Sequence, residues 1–425
     1  MDLHIRNTRI IAPGHPLNGQ QRDLLLREGI IMDIGESLSS PEGTEVLEQE
    51  GLQLSIGWMD TGVFTGDPGL EQRETLHTAG AAAAAGGFTA VATQPNTLPA
   101  VDSKSGVLYV RRNAEGKLVN FYPMGAVTLE CAGKEITEMI DMQRAGAVAF
   151  TDGKRPVQHA GIMLRALQYV KAFGGLIVNH PMDTDIGGKG QVHEGLVSTS
   201  LGMPGIPALA EEMMVRRDLH LLEYTESRLH LANLSTKGAV QAVREARARG
   251  LQVTASVAVM NLIEEDSAAG QFDSNYKVMP PLRSAEDRKA LCEGVLDGTI
   301  DIICSNHRPL EEEQKKLEFT YAGFGATGLE TLYALCRTHL SDWLSEDMLI
   351  NCIAYNPRRI LGIPLPELEV GSPAELTLFH PDEEWAYARD RVYSRSCNSP
   401  YIGQTLRGRP VAVINNNQSF VNAHS

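Results

Sequence analysis

Short apolar runs alternate with longer helical stretches through the middle of this chain, and that alternation restricts the fold more than any other feature. Eight runs can be counted: Ile56–Asp60, Phe88–Thr93, Asn120–Gly125, Ala147–Phe150, Leu176–Asn179, Leu229–Ala232, Val253–Ser256 and Ile300–Cys304. Stretches such as Thr75–Ala85, Lys237–Arg249 and Ala285–Leu296 lie between them and read as helices. A parallel strand covered on both faces is a near-continuous apolar run, and it needs a crossover, usually a helix, to reach the next strand. Eight such units over roughly 300 residues predict an α/β chain folded as a (β/α)8 TIM barrel. Functional side chains of that fold sit at the C-terminal ends of the strands. The stretch from His180 to Arg228 is longer than one crossover needs and is predicted to carry extra loop.

Both ends of the chain break this pattern. Leu3-His4-Ile5, Arg9-Ile10-Ile11, Asp23–Leu26 and Ile30–Ile34 read as short strands separated by the turn signals Pro13-Gly14 and Glu28-Gly29. Ala374–Phe379 and Pro410–Asn415 do the same at the other end. The expected layout is a small β domain assembled from both termini, residues 1–54 and 366–425, flanking a barrel over residues 55–365. With 43% hydrophobic and 21% charged residues, the composition is that of an ordinary globular protein. A net charge of −15 argues against nucleic acid or an anionic membrane as partner. No run approaches the length of a membrane span, and Met1–Ile10 lacks a signal-peptide core. The six cysteines are scattered and read as buried free thiols, which predicts a reducing cytoplasm.

The residues at the strand ends carry a resemblance. Thr93-Gln94-Pro95-Asn96-Thr97-Leu98-Pro99, Asn275–Arg283, Gly325–Thr331, Asn356–Gly362 and Asn398–Gly403 before Leu406-Arg407-Gly408 follow one another in the order of the dihydroorotase family. Over essentially its full length the chain resembles that family of the amidohydrolase superfamily. The resemblance implies a zinc-dependent hydrolase of cyclic amides, which interconverts carbamoyl aspartate and dihydroorotate in pyrimidine synthesis.

The residues that would do the chemistry depart from the family's pattern. Family members carry Asp-x-His-x-His-x-Arg-x-Pro-Gly after the first barrel strand; here Asp60, Pro68 and Gly69 are in place, but Gly62 and Phe64 stand at the histidine positions and Gly66 at the substrate-binding arginine. After the fourth strand Asp152 keeps the bridging carboxylate, and after the fifth His180 keeps a ligand histidine. At the sixth, the ligand position is Asn233. At the eighth, the ligand and proton-accepting aspartate is Asn306, an amide that cannot act as a base at neutral pH. By resemblance, Asn96, His307, Gly66 and Met279 belong to the substrate pocket. His230 reads as structural, with its ring on the barrel's outer face, and Lys154 as a poor candidate for a carbamylated ligand. Among the other histidines, which fall in the termini or in helices, only His193 of the extra loop could reach the site.

Two residual ligands, His180 and Asp152, leave zinc short of the three protein ligands of a catalytic site. No cofactor is therefore expected, and zinc only if the site works in spite of these changes. The resemblance then implies a homodimer without catalysis, acting as a scaffold or regulatory partner, for example of aspartate carbamoyltransferase. An active or altered cyclic-amide hydrolase with a reduced metal site is one alternative, and a ligand-binding sensor another.

Overall fold

A computed structural model of the chain describes residues 1–422; His424, assigned to the C-terminal tail, lies outside them. The first five strands are β1 (Asp2–Ile10), β2 (Gln21–Arg27), β3 (Ile30–Gly35), β4 (Glu45–Glu48) and β5 (Gln53–Ile56). The barrel region supplies β6 (Trp58–Val63), β7 (Phe88–Thr93), β8 (Asn120–Pro123), β9 (Ile177–Asn179), β10 (Val192–His193), β11 (Gly205–Ile206), β12 (Leu229–Leu231), β13 (Val253–Ala258) and β14 (Ile302–Cys304). The chain ends with β15 (Leu376–Ala386), β16 (Thr405–Asn415) and β17 (Gln418–Val421).

Strands from the two ends meet in one sheet of order β17-β16-β15-β5-β1-β2-β3, with β4 also pairing to β1. Alternation explains it: Leu3, Ile5, Leu24, Leu26, Leu376 and Ile414 point into one buried cluster. Two hairpins pin its register. Glu28-Gly29 (φ +51°, +76°) joins β2 to β3, and Asn416-Asn417 (φ +52°, +56°) joins β16 to β17. Two consecutive positive φ angles match the twist of the flanking strands, and Gly and Asn reach them at least cost.

Parallel pairs β6-β7-β8 and β9-β12-β13-β14 form two arcs of a barrel. The fourth predicted run, Ala147–Phe150, forms no regular strand; Phe150 alone bridges Gly125 on one side and Ile177 on the other. A helix ends at Gly146 (φ +109°) immediately before it, so too few residues remain for a ladder. It still takes the fourth place, since Val148 N–H donates to Pro123 O (3.1 Å) and Phe150 N–H to Leu176 O (2.9 Å). Inside the barrel, Met59, Ala90, Ala92, Ala149, Leu176 and Val178 pack together, with Leu361 and Ile363 against them. The predicted extra loop is only partly loop. It holds β10 and β11, then the 18-residue helix Ala208–Thr225.

Barrel and terminal sheet are tied by Arg358, whose guanidinium reaches Gly57 O (3.2 Å), Thr89 Oγ1 (3.3 Å) and the Glu375 carboxylate. Among the described residues no helix is long and apolar enough to cross a membrane.

Candidate functional site

Asp60 fastens the first barrel strand to the last. It is buried, and its carboxylate accepts Gly62 N–H (2.6 Å) and Ser305 N–H (2.7 Å), while burial pushes its pKa up. This places Gly62 against the eighth strand end: a Cβ there would lie 3.2 Å from Asn306 N and 3.3 Å from Cys304 Sγ. Gly66 has φ +70°, and a Cβ on it would meet the carbonyl oxygens of Leu70 and Glu74 at 2.6 Å. No side chain fits at that position with this backbone. Phe64 is buried, and its ring lies 5.8 Å from the Lys154 ammonium.

Asn233 and Asn306, at the ends of the sixth and eighth strands, are bonded to each other. Asn233 Nδ2 donates to Asn306 Oδ1 (3.2 Å), and Asn306 Nδ2 donates to Met279 O (3.1 Å). Asn233 Oδ1 accepts from Cys304 Sγ (3.0 Å), whose thiol burial holds far from ionising. Both backbones have positive φ, +56° and +49°, which Asn tolerates better than most residues. Met279 lines the cavity beside them.

The two predicted residual ligands are partly committed elsewhere. Asp152 is buried, and its oxygens accept Thr128 N–H (2.9 Å) and the Thr128 hydroxyl. His180 lines the cavity with Nδ1 on Ala232 O (3.2 Å). A ring nitrogen on a carbonyl must carry the hydrogen, which leaves Nε2 with a free lone pair. Burial lowers the His180 pKa, so the ring stays neutral. These donors do not fit a zinc ion: one imidazole nitrogen is free, the amides are hydrogen-bonded to each other, and no group of three or more His, Cys, Asp or Glu among the described residues could hold a metal.

Other expectations need correction. His230 lies in the cavity wall and not on the outer face, with Nδ1 on Thr254 Oγ1 (2.9 Å) and Nε2 on Ser256 Oγ (3.1 Å). Burial pushes its pKa down to about 3. Asn96 is not free for a ligand, because Nδ2 donates to Asp152 O (2.8 Å) and Oδ1 accepts Lys154 N–H (3.2 Å), fastening that loop. His307, by contrast, does line the cavity as expected, buried with Nε2 3.4 Å from Glu74 Oε2. His193 bonds Arg283 (3.1 Å) and does not line the cavity.

The cavity itself has a volume of about 40 Å³. That is room for roughly three water molecules. Its lining also includes Lys154, which the sequence offers only as a poor candidate for a carbamylated ligand, and Arg308, which no motif marks. Burial, then the Arg308 charge, holds the Lys154 pKa at about 7, and burial, then Arg73, holds Arg308 at about 10. A cation at the variable position between His307 and Pro309, on the C-terminal end of a barrel strand, was the signal available.

The family model described as "Dihydro-orotase-like" matches residues 53–239. A protein named dihydroorotase from Pelotomaculum thermopropionicum is 43% identical over 397 residues, covering 93% of each chain. Another of that name, from Syntrophus aciditrophicus, is 39% identical over 97% of this chain and 98% of its own length. This chain belongs to the dihydroorotase-like family. Solved structures agree in fold: L-hydantoinase (dihydropyrimidinase) from Arthrobacter aurescens superposes with a TM-score of 0.86 at 24% identity, covering 100% of this chain and 97% of that one.

The motifs that mark this dihydroorotase-like chain mostly build its loops. Glu211 is buried and accepts Ser235 N–H (2.8 Å) and Thr236 N–H (2.9 Å), while Arg283 Nε donates to Ser235 Oγ (3.1 Å). Asn398 Oδ1 accepts Leu310 N–H (3.1 Å), and its Nδ2 donates to the carbonyls of Arg308 (3.0 Å) and Gly325 (3.1 Å).

Proposed function

We propose that this dihydroorotase-like chain does not carry out metal-assisted hydrolysis and serves as a scaffold or regulatory partner. The Asn233–Asn306 hydrogen bond carries the reading. Metal-assisted hydrolysis needs ligands that lower the pKa of a bound water from about 15.7 to about 7, and a base to take its proton. Amides do neither, and these two are bonded to each other, to Met279 O and to Cys304 Sγ. Gly66 supports the reading from the substrate side, since its backbone leaves no space for a carboxylate-binding arginine.

The partner class is a transcarbamoylase acting on aspartate, taken from the resemblance to inactive members of the family, and the chain assembles as a homodimer. Six cysteines, all unpaired, support a reducing, cytoplasmic setting. The test has two readings on one preparation: metal content of the chain purified from zinc-supplemented medium, and co-elution with aspartate carbamoyltransferase from the same source. Substoichiometric zinc together with co-elution is expected. One tightly held zinc per chain, or chelator-sensitive turnover of dihydroorotate, overturns the reading.

A second reading is favoured by the free Nε2 of His180 in the cavity and by a relative named dihydroorotase at 43% identity: a cyclic-amide hydrolase with a reduced site. The same zinc measurement separates the two.

A further inference from the structure

The cavity at the barrel mouth is walled by two cations, Arg308 and Lys154, and by no carboxylate among the described residues. The carboxylates on nearby strand ends and loops are committed elsewhere: Asp60 to the N–H groups of Gly62 and Ser305, Asp152 to Thr128, Glu74 to His307 and Ser394. Neither cation has a hydrogen-bond or ion-pair partner for its charged end among the described residues. The Lys154 ammonium lies over the Phe64 ring, 5.8 Å from its centroid. Both side chains are half-buried. An uncompensated charge withdrawn from water is unfavourable, and a buried charge is ordinarily paired.

Arg308 is also held in place. Its N–H donates to Ala326 O (2.8 Å), its carbonyl accepts from Asn398 (3.0 Å), and its stem lies against Gly325, where a Cβ would come within 2.9 Å of Arg308 Cγ and Cδ. A fixed guanidinium presents a planar fork of donors that matches a carboxylate in two parallel hydrogen bonds. The same wall carries the apolar side chains of Met124, Val178 and Ile302, against which a methyl group can pack.

We propose that Arg308 and Lys154 form a binding site for one small carboxylate anion of about acetate size, seated in the barrel mouth with its oxygens on the two cations. The site is independent of whether the chain hydrolyses anything. It differs in position and residues from the family's arginine, whose place Gly66 takes.

The test is a calorimetric titration of the dialysed full-length chain with sodium acetate at pH 6, below the Lys154 pKa of about 7 so that both side chains are charged, ionic strength being held constant with chloride. Saturable binding of one acetate per chain is expected, with Arg308→Gln and Lys154→Gln each weakening it tenfold or more. Inorganic phosphate, titrated in parallel, is expected to bind at least tenfold more weakly than acetate. Neither side chain's charged end is bonded within the fold and each is an uncompensated charge, so both variants should melt at or above the wild-type temperature in chloride buffer; if one fails to fold, the other decides. Absence of saturable acetate binding, unchanged affinity in the folded variants, or phosphate binding as tightly as acetate overturns the proposal.

Discussion

Gly66 occupies a left-handed backbone conformation with two carbonyl oxygens where a Cβ would go. Gly66→Arg should therefore lower stability by about 1–3 kcal/mol, read from the urea midpoint, in spite of restoring the family's residue. Converting Gly62 and Phe64 to His, Gly66 to Arg, Asn233 to His and Asn306 to Asp together should yield at most feeble hydrolysis of dihydroorotate. Gly62→His crowds Asn306 and Cys304 at 3.2–3.3 Å, and the outer residues that orient ligands are not rebuilt. Turnover near that of an active relative would show the backbone to be more yielding than its contacts imply. His230 sets a pH dependence at the same scale. Its folded pKa of about 3 lies below the ordinary 6.5, so its contribution is whole above pH 6.5 and falls as the unfolded chain takes up the proton on the way to pH 3. A shift of that size is worth on the order of a few kcal/mol. The urea midpoint of His230→Gln should drop less between pH 7.5 and pH 4.5 than that of wild type; parallel curves would refute this.

At the scale of elements, Arg358 joins three pieces: the turn before β6, β7 through Thr89, and Glu375 just ahead of β15. The pair is largely dry, with side-chain exposures of 1% and 16%. Breaking such a pair from one side leaves the other charge uncompensated, at a cost of about 3–5 kcal/mol. Arg358→Met should show that loss in urea while leaving the acetate site untouched, since Arg358 does not line the cavity. A loss confined to a few tenths of a kcal/mol would mean that apolar packing of Phe379, Leu406 and Val413 against the barrel core holds the terminal sheet without it.

The whole molecule has one continuous reason to stay folded without metal. Its largest core runs from Ile11 through the barrel helices to Val413, and the barrel interior is filled by apolar side chains. Burial of that surface is worth about 25 cal/mol per Å² and involves no bound ion. A single cooperative thermal transition, unmoved by a strong chelator, is the expected result. A fall of several degrees on chelation would reveal a structural metal. Dihydroorotate, denied the family's arginine by the backbone at Gly66, should give no binding heat up to millimolar concentration.

Periodicity and punctuation in the sequence determined the architecture by themselves. Apolar runs with helical spacers specify parallel strands and crossovers, and the alternating strands at both ends had only each other to pair with. The ligand-position residues Gly62, Phe64, Asn233 and Asn306 were equally legible, because an absent imidazole or carboxylate needs no coordinates to recognise. Hydrogen-bond direction and side-chain aim were not legible, since they depend on groups distant in sequence. Thr128 bonds both oxygens of Asp152, and Asn96 holds the Asp152–Lys154 loop, contacts that no local pattern in the sequence announces. His230 was assigned to the wrong face because strand twist and stagger, which decide inward from outward, leave no local mark. Arg308 and Lys154 stand 154 positions apart in the sequence, and only barrel closure brings their charges to one cavity with no carboxylate in its wall.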